Sequence, residues 1–193
     1  MYPEKLNQFR FILASKSPRR QFLLRELGIP FDLETKEVNE DFPEHLVKEE
    51  IPLFLARKKA DAFERELDEK TIVITADTIV WINNHVLNKP QDAEEARVML
   101  REISGNRHEV FTGVCLKSAK KEIAFAVKTN VFFRELTEGE IDYYVNEYKP
   151  LDKAGAYGAQ EFIGYIGVDK IEGSYFNVMG LPVKELYEEL VKF

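Results

Sequence analysis

The segment SKSPRR, residues 15–20, is the strongest local signal for chemistry in this chain. Ser17 is a predicted helix N-cap, and Pro18 suits the first helical position. A helix amino end has unpaired N–H groups and a partial positive charge, so two arginines in its first turn are unfavourable there. A bound polyphosphate would reverse that effect, because arginines, backbone N–H groups and serine hydroxyls all donate to it. The alternative is that both arginines face solvent or pair with Glu4 or Glu26.

An aspartate after an apolar, β-branched run is the second candidate. Thr71–Ala76 is predicted as a strand, which places Asp77 at its end. Ligands of open α/β sheets lie beyond the carboxyl ends of strands, where a carboxylate can hold a divalent metal or orient a water. The alternative is an aspartate that only caps the next turn. Glu40, in the acidic loop Val38–Asp41, is a possible second carboxylate, although on its own it resembles an ordinary solvated acid.

The segment DKAGAYGAQ, residues 152–160, is the third candidate. Its small residues would let the backbone approach a ligand closely, and Gln160 has a donor and an acceptor that suit the edge of a base. Loops of this composition are common, so the segment alone is weak evidence. The sequence contains none of the usual phosphate-loop, dinucleotide-binding or HExxH motifs. Its three histidines, His45, His85 and His108, are scattered, which disfavours a histidine triad or a zinc site.

Helices and strands must position these candidate residues. The sequence predicts that helices and strands are mixed along the chain. Strands are predicted near Phe9–Ala14, Phe31–Thr35, Thr71–Ala76, Val110–Leu116 and Ile123–Phe133, with a hairpin over Thr78–Val86 that turns at Asn83-Asn84. Helices are predicted from Pro18 until Gly28, from near Pro52, after Asp92, after the Thr137–Glu140 capping box with Tyr144 and Tyr148 inward, and from Pro182. Leu151–Gly164 is predicted as a loop. Because crossover and hairpin connections both occur, we expect an α/β fold with a mixed sheet.

Composition excludes several classes of protein. A chain of 193 residues fits one domain, or two small lobes that share a core. The net charge of -7 argues against a large nucleic-acid surface but permits a small anionic ligand. The single cysteine, Cys115, excludes an intramolecular disulfide and is expected to be buried. The sequence has no leader-like start and no apolar run of ~20 residues, so we expect a cytoplasmic protein with no membrane association.

Six segments in order along the chain resemble the motifs of the Maf family. They are ILASKSPRR (12–20), ADTIV (76–80), LNKPQDAEEA (87–96), LREISGNRHEVFTGV (100–114), PLDKAGAYGAQ (150–160) and GSYFNVMGLP (173–182). Together they cover nearly the whole chain, and six in this order are highly specific. The resemblance implies a single Maf-like domain over residues 1–193. It also implies an α/β fold with a twisted mixed sheet flanked by helices and two lobes around a deep cleft, similar to inosine triphosphatase.

The same resemblance implies metal-dependent hydrolysis of a nucleoside triphosphate between its α- and β-phosphates. Asp77 matches the family's general base, and Glu40 and Asp77 match positions associated with Mg²⁺ or Mn²⁺. The positions that contact phosphate correspond to Ser15, Arg19, Arg20, Lys59 and Lys89. Arg19, Thr78 and Gln160 resemble the subgroup that acts on dTTP and UTP, although a flipped Gln160 amide could also accept CTP. A homodimer is also implied.

Two other functions remain open at this point. One is a metal-dependent phosphatase that releases orthophosphate. The other is a non-catalytic nucleotide-binding regulator of cell division or septum formation, a process with which the family has been associated. The chain also departs from the usual family pattern at Lys16, where many members have glycine, and around Gln160, where Ala159 and Glu161-Phe162 replace a more usual Ile-Gln-Gly arrangement.

Overall fold

The computed structural model describes residues 4–193, with side chains from Lys5 onward, as a mixed α/β protein. Its strands are β1 Arg10–Leu13, β2 Asp32–Leu33, β3 Thr71–Ile82, β4 His85–Leu87, β5 Arg107–Lys117, β6 Glu122–Phe133 and β7 Val168–Glu172. Its α-helices are α1 Pro18–Glu26, α2 Glu50–Asp61, α3 Ala93–Ile103, α4 Glu138–Tyr148, α5 Phe162–Gly167, α6 Tyr175–Met179 and α7 Val183–Lys192. Short 3-10 helices span Glu4–Gln8, Glu64–Glu66 and Ala154–Ala156.

The strands form one mixed sheet in the order β2-β1-β3-β5-β6-β7, and β4 pairs with β3. β1 runs parallel to both of its neighbours, with Leu13 opposite Leu33 in β2 and opposite Ile74 in β3. β4 is antiparallel to β3, and β7 is antiparallel to β6. These pairings confirm the predicted α/β fold with a mixed sheet. None of the helices that the structure describes is long and apolar enough to cross a membrane.

The chain divides into two compact units. The first contains the described residues up to Asp77, together with Thr112–Val127 and Gly180–Phe193. One of its apolar clusters joins the buried face of α2 to β1, β3 and β5, through Ile12, Ala56, Ala60, Phe63, Val73 and Cys115. Burial raises the pKa of the Cys115 thiol to about 12, so this side chain is a neutral, apolar part of the core, as predicted.

The second unit contains Thr78–Phe111 and Lys128–Met179. Its core includes apolar side chains of α3, α4 and α5, such as Leu100, Tyr144 and Ile163, which are all fully buried. Asp92 caps α3 by accepting from the N–H groups of the first turn.

The predicted capping box at the start of α4 is present, with Thr137 and Glu140 each bonded to the other's backbone N–H. The ion pair with Arg134 and these N–H contacts lower the pKa of Glu140 to about 2.

Local signals at helix ends and turns predicted their elements well. Ser17 has extended backbone geometry and caps α1, with Pro18 as the first helical residue. Gly28 follows the end of α1 with a φ of +71°, as expected for a helix stop. Asn83 and Asn84 both have positive φ, which suits the tight turn between β3 and β4.

Three expectations about the elements were wrong, and two elements were missed. Asp77 does not end its strand, because β3 continues to Ile82 and its second half pairs with β4. Tyr148 does not point inward, because it lies in the last turn of α4, stacks on the outer side of Tyr144 and is 41% exposed. The segment Leu151–Gly164 is not all loop, since it contains a 3-10 turn and the start of α5. The strand β7 and the short helix α6 were not predicted.

Candidate functional site

The amino end of α1 is fixed by hydrogen bonds among its own residues. The buried hydroxyl of Ser15 accepts from the Ser17 N–H at 3.2 Å, and the Ser17 hydroxyl accepts from the Arg20 N–H at 3.5 Å. The Gln21 side chain donates to the Ser15 carbonyl at 3.3 Å. This places an ordered turn directly before a helix whose first turn contains no acidic residue. Such a turn suits an anionic ligand.

Arg20 connects this helix to two other segments of the first unit. Its Nε donates to the Gly180 carbonyl at 2.8 Å, and its Nη1 donates to the Ala76 carbonyl at 2.7 Å. Burial, together with the nearby charge of Arg19, lowers the pKa of Arg20, while Asp77 acts in the opposite direction.

The possibility that Arg20 points into solvent is therefore wrong. Arg20 binds the carbonyl that immediately precedes Asp77. The Glu4 side chain, the alternative partner suggested by the sequence, lies outside the described residues.

Two carboxylates converge on the ammonium group of Lys59. Lys59, in the last turn of α2, lies 2.5 Å from Oδ1 of Asp77 and 2.7 Å from Oε1 of Glu40. The Lys59 and Asp77 side chains are only 17% and 13% exposed, whereas Glu40 is half exposed. The structure thus brings together three of the residues predicted for the site, from a helix, a strand and a loop.

The loop that carries Glu40 is held against α2. Asn39 accepts from the Asp41 N–H at 2.7 Å, which closes a local turn around Glu40. The Lys58 ammonium donates to the Asp41 carbonyl at 2.9 Å. Consecutive lysines of α2 therefore contact this acidic loop, Lys58 through a backbone carbonyl and Lys59 through the Glu40 carboxylate.

The carboxylates of Glu40 and Asp77, which both contact Lys59, suit a magnesium or manganese ion that is also bound by phosphate. Mg²⁺ is commonly held by one or two carboxylates plus substrate oxygens and water, rather than by a cage of protein ligands. Within residues 4–193, no group of three or more histidine, cysteine, aspartate or glutamate side chains could hold a metal. The two carboxylates are hard oxygen donors that already face one cation, so their chemistry fits such an ion.

The remaining predicted residues lie in the second unit. Thr78 is half-buried and follows Asp77 in β3, Lys89 is exposed, and Gln160 is half-buried. The residue before Lys89, Asn88, accepts a hydrogen bond from the Gly155 N–H at 3.2 Å.

Gly155 fits its position only because it has no side chain. Its φ is +67°, and a Cβ built on it would lie 2.9 Å from a methyl group of Val80. The small residues of the third candidate segment thus allow close packing on β3.

Sequence reasoning missed a group of polar side chains around Glu161. Tyr144, a fully buried residue of α4, donates its hydroxyl hydrogen to the Glu161 carboxylate. The Lys153 ammonium lies 3.2 Å from the other oxygen of Glu161, and its side chain is 8% exposed. A buried tyrosine needs a partner for its hydroxyl, and that requirement was the one available signal that a polar group lies nearby.

The fold and this grouping of charges define a mixed α/β protein with acidic and basic side chains next to a helix amino end. The family model described as "Maf-like protein" matches residues 10–193, and the chain therefore belongs to this family.

Two relatives are similar over nearly their full length. A protein of Phocaeicola vulgatus named dTTP/UTP pyrophosphatase is 50% identical over 190 residues, which cover 98% of each chain. A protein of Parabacteroides distasonis with the same name is 47% identical over 191 residues, covering 98% of this chain and 99% of that one. The solved structure of a nucleoside-triphosphatase (dITP/XTP pyrophosphatase) from Mycobacterium abscessus is 16% identical over 65% of this chain and 73% of that one, with a TM-score of 0.40. At that score the structural likeness supports no conclusion about this chain.

Proposed function

We propose that this protein hydrolyses dTTP and UTP to the nucleoside monophosphate and pyrophosphate. Family membership and relatives that bear this name at 47–50% identity support the proposal. Within the chain, the observation that carries it is the contact of Lys59 with both Glu40 and Asp77, next to the arginine-rich amino end of α1. A site of this kind can bind a polyphosphate and also place a base near it.

Phosphate binding is assigned to the cationic and hydroxyl groups predicted from the sequence. Ser15 and the first turn of α1 offer donors, and Arg19 and Arg20 add charge that favours an anion at this end of the helix. Lys59 and Lys89 complete the set. Charge that develops on the leaving pyrophosphate is stabilised by these fixed cations, which is the usual main contribution of protein to phosphoryl transfer.

Asp77 is assigned as the general base. It accepts a proton from the water that attacks the α-phosphorus, while Lys59 holds the carboxylate in position through Oδ1. Arg20 fixes the backbone on the other side by binding the Ala76 carbonyl. Glu40 and Asp77 would hold Mg²⁺ or Mn²⁺, which when bound neutralises charge on the phosphate oxygens.

Selectivity for dTTP and UTP is assigned to Arg19, Thr78 and Gln160. A Gln160 amide can pair with the N3–H and the O4 of uracil or thymine, and the thymine methyl group requires only space. Because the amide can flip, we expect weaker turnover of CTP. We further expect the protein to act in the cytoplasm and to form a homodimer.

Product analysis tests this function. The purified protein is incubated with dTTP, UTP, CTP or GTP and either Mg²⁺ or Mn²⁺, and pyrophosphate, orthophosphate and nucleotide products are quantified. We expect pyrophosphate and the monophosphate in equal amounts, with dTTP and UTP as the best substrates. Orthophosphate with the diphosphate would identify a phosphatase instead, and tight binding of UTP without turnover would identify a nucleotide-binding regulator.

A further inference from the structure

Glu161, the residue that follows Gln160, contacts two other segments of the second unit through its carboxylate. One of its oxygens accepts from the Tyr144 hydroxyl of α4, and the other lies 3.2 Å from the Lys153 ammonium. Lys153 also donates to Asp152 at 2.7 Å. Both Tyr144 and Lys153 are buried, so Glu161 is their partner in a setting where an unpaired polar group would be costly.

The same group fixes the backbone just before Gln160. The Gly158 N–H donates to the Tyr144 hydroxyl at 3.1 Å, and the Gly158 carbonyl accepts from the Glu161 N–H at 3.1 Å. A Cβ built on Gly158 would lie 2.8 Å from the Glu161 carboxyl carbon, so the carboxylate fills the space that a side chain would need. Gly158 is therefore fixed by the bond of its N–H to Tyr144, by the bond of its carbonyl to the Glu161 N–H, and by the Glu161 carboxylate packed where a side chain would lie.

Gln160 lies in the short segment between Gly158 and Glu161, the two residues whose backbone is held in place. Its carbonyl accepts from the Tyr165 hydroxyl at 2.5 Å, and the Glu161 carbonyl accepts from the Tyr165 N–H, which starts α5. Among the residues that the structure describes, none forms a hydrogen bond with the side-chain amide of Gln160. The backbone around Gln160 is thus fixed on both sides while its amide stays available to a ligand.

We propose that Glu161 is a positioning residue for base selection, which sets the direction of the Gln160 amide through its bonds to Tyr144 and Lys153. The inference rests on the proposed function, because it assigns a role within the recognition of the base. Glu161 itself contacts neither the base nor the phosphates in this account. It acts by holding the backbone from which Gln160 extends.

A carboxylate is required because both of its oxygens accept. In Glu161→Gln the size is retained, but the amide has a single accepting oxygen, and its NH₂ group must face either the Lys153 ammonium or the Tyr144 hydroxyl. Tyr144→Phe is a second variant, which removes the hydroxyl from Glu161 and from the Gly158 N–H while keeping the ion pair with Lys153. The two variants disturb the same backbone from opposite sides of the carboxylate.

The test compares a substrate that has a base with one that lacks it. Initial rates of pyrophosphate release are measured for UTP, CTP and 2-deoxyribose 5-triphosphate, with the wild-type protein and both variants. For UTP we expect kcat/KM to fall about 10- to 100-fold, mainly through KM, as a small displacement of a contacting group can cause. For the base-free triphosphate we expect less than about a twofold change, since the phosphate-binding residues are untouched.

Glu140→Ala is the matched control for stability. It removes a carboxylate from α4 that pairs with Arg134 and caps the helix, without removing a contact of residues 158–161. Its melting temperature should fall, whereas its ratio of UTP to CTP turnover should equal that of the wild type. In Glu161→Gln and Tyr144→Phe that ratio should fall toward one.

Equal losses for UTP and the base-free triphosphate in both variants would overturn the proposal, since they would show a general structural role. An unchanged ratio of UTP to CTP turnover in both variants would do the same. Failure of the proposed function gives a different result, because the wild-type protein itself would then release no pyrophosphate from any of the three substrates.

Discussion

The ammonium of Lys59 lies 2.5 Å from Oδ1 of Asp77, and the two side chains are mostly buried. This contact joins the last turn of α2 to the middle of β3, across 18 residues of sequence. Glu40 approaches the same ammonium from a loop. The position of the proposed base thus depends on a helix and a loop as well as on its own strand.

Lys59→Met tests the importance of that contact. The substitution leaves Asp77 without its ammonium partner in a mostly buried position, so we expect kcat/KM for UTP to fall by at least about 100-fold. The free energy of unfolding should fall by about 1–3 kcal/mol, the usual cost of breaking a hydrogen bond to a charged group. Initial-rate kinetics and urea unfolding measure the two effects. Lys58→Met is the control, because among the described residues the Lys58 ammonium makes a hydrogen bond to the Asp41 carbonyl and none to a carboxylate of the site, so this variant should lose little activity.

Arg20→Ala should lower stability as well as activity. It removes two hydrogen bonds, to the Ala76 and Gly180 carbonyls, that connect three segments of the first unit. We expect a loss of about 2–4 kcal/mol in the free energy of unfolding, from two charge-assisted bonds. Arg19→Ala should instead reduce kcat/KM with a smaller effect on stability. Denaturation curves and initial-rate kinetics of the two variants measure these effects. An Arg20→Ala protein as stable as the wild type would contradict the role of Arg20 in connecting the three segments.

The buried histidine should make folding sensitive to acid. His108 accepts from or donates to the Tyr157 hydroxyl at 2.8 Å, and burial lowers its pKa to about 3 from an ordinary value of 6.5. Between pH 6.5 and 3 the unfolded chain binds a proton at this histidine and the folded chain does not, so stability falls as pH falls through this range. The slope from this one group approaches about 1.4 kcal/mol per pH unit. Urea unfolding of His108→Gln over the same range should show a shallower slope, whereas the exposed His45→Gln should match the wild type.

A pair of glycine substitutions separates backbone strain from close packing. Gly28 and Gly155 have nearly the same φ, +71° and +67°, but only at Gly155 would an added Cβ meet another group, the Val80 side chain. Gly28→Ala should cost about 1–2 kcal/mol in the free energy of unfolding, from the left-handed backbone alone. Gly155→Ala should cost more, by about another 1–3 kcal/mol for overpacking. Chemical denaturation measures both, and equal losses would show that the approach to Val80 is unimportant.

The parts of the fold that depend on neighbouring residues in sequence were predictable. Ser17 and Pro18 at the start of α1, and Asn83-Asn84 at the hairpin, adopt the expected conformations because their own side chains and backbone determine them. The length of β3 was not predictable in this way. An aspartate disfavours a strand locally, but β3 runs through Asp77 without a break into the arm of the hairpin that pairs with β4.

The same distinction applies to the candidate site. Asp77 and the arginines stood out by their local context, yet their relationship to Lys59 and Glu40 came only from the resemblance to the family. Spacing along the chain could not show that these four segments meet. The role of Glu161 was also missed, because a carboxylate after Gln160 looks like any solvated acid until Tyr144 and Lys153 are placed beside it. The deep cleft that the resemblance implies stays a prediction.

Turnover of UTP by Asp77→Asn tests the role of Asp77 as the general base, because this substitution keeps the size of the side chain and removes its basic oxygen. Pyrophosphate release is measured together with binding of the non-hydrolysable uridine 5′-(α,β-methylene)triphosphate by calorimetry. We expect kcat to fall by about 100- to 10,000-fold, the range for loss of a general base, while the analogue binds within a few-fold of the wild-type affinity. Near-normal release of pyrophosphate from UTP by this variant would contradict the account.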